Sequence, residues 1–162
     1  MAGRLVLRLR RSLVAPVPEP DWPRGIRPVA FVPELHAQNV HGLLRRAYTQ
    51  GGGYVEPFAI WSPSLRDDSE YDPALVFLAT DERDEIVGVA QCWTSAFVKD
   101  LAVAPAWRRK GLGAALLHEA FRVLRERGAS SITLKVEADN PSGALRLYRS
   151  LGFEEVESYR LG

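Results

Sequence analysis

Six residues, Arg108-Arg109-Lys110-Gly111-Leu112-Gly113, set three cations and two glycines between two apolar segments. Before them runs Ala96 to Val103, closed by Pro105; after them an amphipathic stretch extends from Leu112 to Arg127 and stops at Gly128. A strand, a basic glycine turn and a helix in that order aim backbone N–H groups and the positive end of a helix dipole at an anion. Gly111 and Gly113 let the backbone approach a ligand closely, and Arg108, Arg109 and Lys110 add fixed charge. A phosphate or pyrophosphate is the expected ligand. The dinucleotide fingerprint is excluded because position 116 is Leu, and a Walker-type loop because Ala114 and Ala115 follow Gly113. The turn alone also fits a tight connection carrying solvated cations.

A second set of residues runs from Asp139 to Phe153. Asn140 has the chemistry of an N-cap, Pro141 that of a first helical residue, and Gly152 that of a helix terminator. Between them Ala144, Leu147, Tyr148 and Leu151 share one helical face, which turns Tyr148 toward the interior. Taken alone, Tyr148 reads as a half-buried aromatic with its hydroxyl hydrogen-bonded.

The elements that must position these residues follow from periodicity. Leu5, Leu7 and Leu9 alternate with Arg4, Arg8 and Arg10, so residues 1–14 form a strand-like arm rather than a signal-peptide core. Such an arm could cap an edge of its own sheet or pair with another chain as a homodimer. Five prolines between Ala15 and Pro28 make 15–25 a linker, and 26–162 a single domain. That domain reads as a short strand at 26–31, then a helix at 34–50 stopped by Gly51-Gly52-Gly53, then a mixed segment at 54–73 with one short helix. A hairpin at 75–80 and 86–94 follows, then a strand at 97–103, a helix at 112–127, a strand at 131–136, a helix at 141–151 and a closing strand at 153–161. This is an α/β (α+β) fold with a mixed, mostly antiparallel central sheet flanked by helices.

Composition narrows the function. The 162 residues are 46% hydrophobic and carry a net charge of +1, so any anion site is local, and neither nucleic acid nor a membrane surface is an expected partner. No apolar run approaches the ~20 residues that cross a bilayer, and a cytoplasmic location is the default. Cys92 is the single cysteine, and His36, His41 and His118 lack ligand spacing, so no metal is implied and the histidines read as surface or helix residues.

Arg108-x-x-Gly111-x-Gly113 resembles the acyl-CoA-binding signature of the GNAT superfamily of N-acyltransferases. Asn140-x-x-x-Ala144-x-x-x-Tyr148-x-x-x-Gly152-Phe153 resembles its C-terminal signature at the separation the superfamily uses, and Leu101-Ala102-Val103-x-Pro105 stands ahead of both. The resemblance covers about residues 24–161. The run Val136-Glu137-Ala138-Asp139-Asn140 looks like mycothiol-synthase-type members, and the arm like the segment joining their two halves.

The resemblance implies an acetyl-CoA-dependent N-acetyltransferase, with acetyl-CoA as co-substrate and a small-molecule primary amine as acceptor. The amides of Arg109, Lys110, Gly111, Leu112, Gly113 and Ala114 would hold the pyrophosphate beside Arg108, and the strand at Leu101, Ala102 and Val103 would pair with the pantetheine arm. Asn140 would lie near the pantetheine, and the Leu101 N–H would face the oxyanion. Tyr148 stands where the superfamily places its general acid, a phenol that can protonate the departing thiolate. Asp100, on the strand beside the thioester, and Glu137, at the end of the next, are the candidate bases; each would serve equally as a structural acceptor or a solvated strand end. Ribosomal-protein acetyltransferases of the superfamily commonly carry Glu five residues before the Asn, and here Lys135 stands there, which disfavours a similar protein N-terminal substrate. The acceptor pocket is expected between Tyr48 and Arg66, with Tyr54, Glu56, Trp61, Asp67 and Asp68 as candidate contacts. A protein lysine or N-terminal acetyltransferase and a non-catalytic acyl-CoA-binding module are the alternatives.

Overall fold

The computed structural model describes residues 3–50 and 53–162. Seven strands, β1 (Arg4–Ser12), β2 (Arg27–Ala30), β3 (Val76–Thr80), β4 (Ile86–Trp93), β5 (Phe97–Val103), β6 (Ser131–Glu137) and β7 (Glu154–Leu161), form one sheet in the order β2-β3-β4-β5-β6-β1-β7. Every pairing is antiparallel except β5 with β6. Four helices flank it: α1 (Pro33–Gln50), α2 (Phe58–Arg66), α3 (Leu112–Glu126) and α4 (Ala144–Ser150). This is the mixed, mostly antiparallel sheet that the periodicity and the resemblance predicted.

The two faces of the sheet have separate apolar cores. On one, α3 buries Leu112, Leu116, Leu117, Phe121 and Leu124 with Leu7 and Leu9 of β1, Ile132 and Leu134 of β6, and Tyr148 of α4. On the other, Val40, Leu43 and Leu44 of α1 and Trp61 and Leu65 of α2 pack on Val76, Leu78, Val89 and Ala102. Gly88 sets how closely α3 lies on β4, since a Cβ there would fall 2.9 Å from the Leu116 side chain. His41 is buried rather than exposed, against the rings of Phe58 and Trp61, with its Nε2 2.7 Å from the Glu56 carbonyl oxygen.

Three expectations are corrected. The arm caps no edge: β1 lies between β6 and β7, with both of its edges paired within its own chain. The last helix begins at Ala144, not 141, because Gly143 takes a left-handed φ of +79° that breaks the helix ahead of it. Asn140 is therefore not the N-cap; its Oδ1 accepts from the Ser142 N–H at 2.8 Å and closes a local turn. Of the glycine stop after α1, Gly51 and Gly52 lie outside the described residues, and the Gly53 N–H returns to the Tyr48 carbonyl. No described helix is long and apolar enough to cross a membrane.

Candidate active site

The parallel strands β5 and β6 meet at Phe97 and Thr133, where the Thr133 N–H donates to the Ala96 carbonyl, and share no further register pair. Past that point they splay into a wedge. The Ala104 N–H donates to Val87 on the β4 side. Strand alternation then turns the N–H groups of Leu101 and Val103 the other way, into the wedge. An extended backbone edge without a neighbouring strand accepts an extended ligand as an added strand.

One end of this edge leads into the basic turn. Arg109 (φ +60°) and Gly111 (φ +86°) are both left-handed, a backbone pattern that gathers successive N–H groups toward one point. Gly111 precedes α3 with no side chain capping the helix, so the N–H groups of its first turn stay available. A Cβ at Gly111 would meet nothing within 4 Å, which leaves the approach open. At Gly113 a Cβ would lie 3.1 Å from Leu147 Cδ2, so that glycine sets the α3–α4 spacing. Arg108 Nε donates to the Val103 carbonyl at 3.4 Å, and Lys110 Nζ stands 5.1 Å from the Trp107 ring centre. Arg108, Arg109 and Lys110 all remain exposed, as an anion site requires.

The chemistry-bearing side chains gather at the wedge. Asp100 is 5% exposed. Its Oδ1 accepts from the Tyr48 hydroxyl, and its Oδ2 lies 2.9 Å from Lys99 Nζ. A bulge makes this arrangement: Gln91 pairs with Asp100 and Cys92 with Val98, so Lys99 is an extra residue in β5. Burial, the Asp100 charge and the Tyr48–Asp100 hydrogen bond push the Tyr48 hydroxyl far above its ordinary value, with a smaller push from Tyr148. Tyr148 reaches the wedge from α4, and burial, then the Asp100 charge, push it up to about 12. Both phenols are thus protonated across any physiological pH. Burial, followed by Asp100, pushes the Cys92 thiol to about 12, which removes it as a nucleophile.

Asp100, Leu101 and Val103 thus lie on the strand that leads into the 108–114 turn, and Tyr148 of α4 is near enough to Asp100 to feel its charge. Glu137 stands apart from these residues, in an ion pair of 2.8 Å with Arg4 of β1. Among the expected acceptor contacts Trp61 belongs to the core, Asp67 pairs with Arg66, and Asp68 accepts from the Glu70 N–H. Tyr54 is exposed. Sequence reasoning missed Lys99, and it gave Tyr48 only as one end of the acceptor segment without its contact to Asp100. Neither partnership leaves a local signature, because Tyr48 is 52 positions from Asp100 and the bulge exists only in the paired sheet. Beside Asp100, Gln91 is buried with both amide atoms unpartnered.

Residues 38–153 match the Acetyltransferase (GNAT) family. The chain is 33% identical to a mycothiol acetyltransferase of Renibacterium salmoninarum, over 94% of this chain and 48% of that protein. It is 31% identical to a mycothiol acetyltransferase of Thermobispora bispora, over 93% of this chain and 54% of that one. Its backbone is similar to that of a GCN5-related N-acetyltransferase from Sphaerobacter thermophilus, with a TM-score of 0.86 and 29% identity over 99% of this chain and 51% of that one. The chain spans about half the length of these relatives.

Proposed function

Because the chain belongs to the acetyltransferase (GNAT) family, we propose that it transfers an acetyl group from acetyl-CoA to a primary amine of a small molecule, by direct attack on the thioester. The observation that carries this reading is the free β5 edge at Leu101 and Val103, running into the uncapped start of α3 and flanked by Asp100 and Tyr148. The amides from Arg109 to Ala114 bind the pyrophosphate, with Arg108 and Lys110 adding charge. The β5 edge pairs with the pantetheine through Leu101 and Val103, with Ala102 between them turned to β4, and Asn140 borders the pantetheine. The Leu101 N–H stabilises the oxygen on which charge develops.

An ammonium acceptor must lose a proton before it attacks, and Asp100, facing the α1 side of the wedge, takes it. Glu137, the other candidate base, is paired with Arg4 at the far end of β6 and is not assigned the step. Tyr148 protonates the departing thiolate. The relatives named mycothiol acetyltransferase support a small-molecule acceptor.

Calorimetric titration with acetyl-CoA, free CoA and ATP tests the donor site. Binding of the first two but not of ATP supports it; no binding of either overturns the reading. Thiol release with a panel of amines then tests turnover. Tyr148→Phe should lower kcat by about 10²–10⁴-fold while leaving acetyl-CoA affinity unchanged. Equal turnover in variant and parent removes Tyr148 from the acid role.

A further inference from the structure

Lys99 is one of only three lysines in the chain, against eighteen arginines, and the other two are Lys110 and Lys135. The β5 bulge turns Lys99 and Asp100 to the same side of the sheet, the side covered by α1. There the Lys99 ammonium lies 2.9 Å from the buried Asp100 carboxylate and 5.9 Å from the centre of the Trp93 ring. This is where an acceptor's ammonium must come to be deprotonated. Leu101, whose N–H faces the reacting carbonyl, follows two residues later, about 7 Å along an extended strand, and the flexible four-carbon stem of lysine covers that span.

We propose that Lys99 is an internal acceptor: with acetyl-CoA bound and no amine present, the protein acetylates its own Lys99. The inference rests on the donor site and the base proposed above. Asp100 takes one proton from the Lys99 ammonium, and the Nζ lone pair forms the N–C bond at the acetyl carbonyl. The C–S bond breaks, its electron pair leaves with sulfur, and Tyr148 supplies the proton that makes the CoA thiol. The amide nitrogen loses its second proton, and Tyr148 and Asp100 return to their starting states. The products are N-acetyl-Lys99, CoA and one proton released to solvent. Acetylation abolishes the Lys99 charge and frees Asp100 Oδ2 to receive an external amine.

The test incubates the purified chain with acetyl-CoA and no amine, follows intact mass, and maps the label by peptide mass spectrometry. Lys110 and Lys135, both exposed, are built-in controls. Holding the donor and Lys99 in one site raises their effective concentration. Lys99 should therefore gain acetyl at least 10-fold faster than either control, at a rate that saturates with acetyl-CoA and is independent of protein concentration. Acetyl phosphate, a donor with no pantetheine to hold, should reverse the order, because the Lys99 side chain is only 35% exposed. Lys99→Arg should abolish the fast phase and keep acetyl-CoA binding. Label spread evenly over the three lysines, or an unlabelled Lys99 in a protein that binds acetyl-CoA and acetylates added amines, overturns this inference alone. Failure to bind acetyl-CoA overturns the donor site and the inference together.

Discussion

Tyr148→Phe removes one oxygen, and burial fixes the sign of its effect on stability at high pH. The hydroxyl titrates at about 12 in the folded chain against 10.0 when unperturbed, through burial first and the Asp100 charge second. A folded value above the unfolded one means that the native state keeps a proton the unfolded state releases. The associated stabilisation is complete below pH 10 and is lost as pH climbs from 10 to 12. One retained proton corresponds to about 1.4 kcal/mol per pH unit, or roughly 3 kcal/mol across that window. Tyr48 and Cys92 are pushed in the same direction, but both remain in the variant and largely cancel from the difference. Urea unfolding followed by tryptophan fluorescence at pH 8, 9, 10, 11 and 11.5 measures it. The stability gap between parent and Tyr148→Phe should be flat to pH 10 and then move by ~1.4 kcal/mol per unit in the variant's favour. A gap that stays flat to pH 11.5 would refute the burial of this hydroxyl beside Asp100.

Gly111→Val places a side chain at φ +86°, with a strain of about 1–3 kcal/mol, and should weaken acetyl-CoA binding at least 10-fold by calorimetry. Unchanged affinity contradicts the pyrophosphate turn. Gln91→Met replaces an amide whose two polar atoms are buried without partners and should raise unfolding free energy by about 1–2 kcal/mol; a loss in the same urea assay means that the amide is satisfied. Leu9→Ala empties a site with 0% exposure and should cost about 2–5 kcal/mol, whereas a cost below about 1 kcal/mol would mean that β1 does not hold the core together.

What was legible in the sequence was what is encoded locally. The basic turn places its glycines, cations and helix start within a few consecutive residues, so its place between strand and helix follows from residue type, although the left-handed Arg109 does not. Strands β3 to β6 and helix α3 follow from unbroken periodicity. Tyr148 was legible because its helix face repeats every three to four residues. Asp100 was placed on the right strand, but its surroundings were not, since the Tyr48 contact joins elements far apart in the chain. Lys99 was hidden by the bulge: strict alternation puts it opposite Asp100, and one extra residue in the pairing puts it beside Asp100. At Asn140 two local rules competed. An Asx turn to Ser142 and a left-handed Gly143 together outweighed the N-cap and proline signals, and shortened the helix by three residues.

The arm shows why sheet order resists this kind of reading. A strand with one apolar and one polar face has the same alternation at an edge as in the interior, so Leu5, Leu7 and Leu9 say which face is buried but not how many neighbours pair. The placement has a consequence for the site. Between β6 and β7 the chain makes the α4 excursion that carries Tyr148, and β1 is the strand that joins those two strands in the sheet. Arg11, near the end of β1, donates from Nε to the Leu151 carbonyl at 2.9 Å and lies 4.7 Å from the centre of the Phe121 ring. A cation on the last carbonyls of a helix satisfies acceptors that the helix itself cannot. The arm thus fixes α4 from below and at its C-terminal end. Through these contacts β1 sets the position of α4 and so of the Tyr148 phenol.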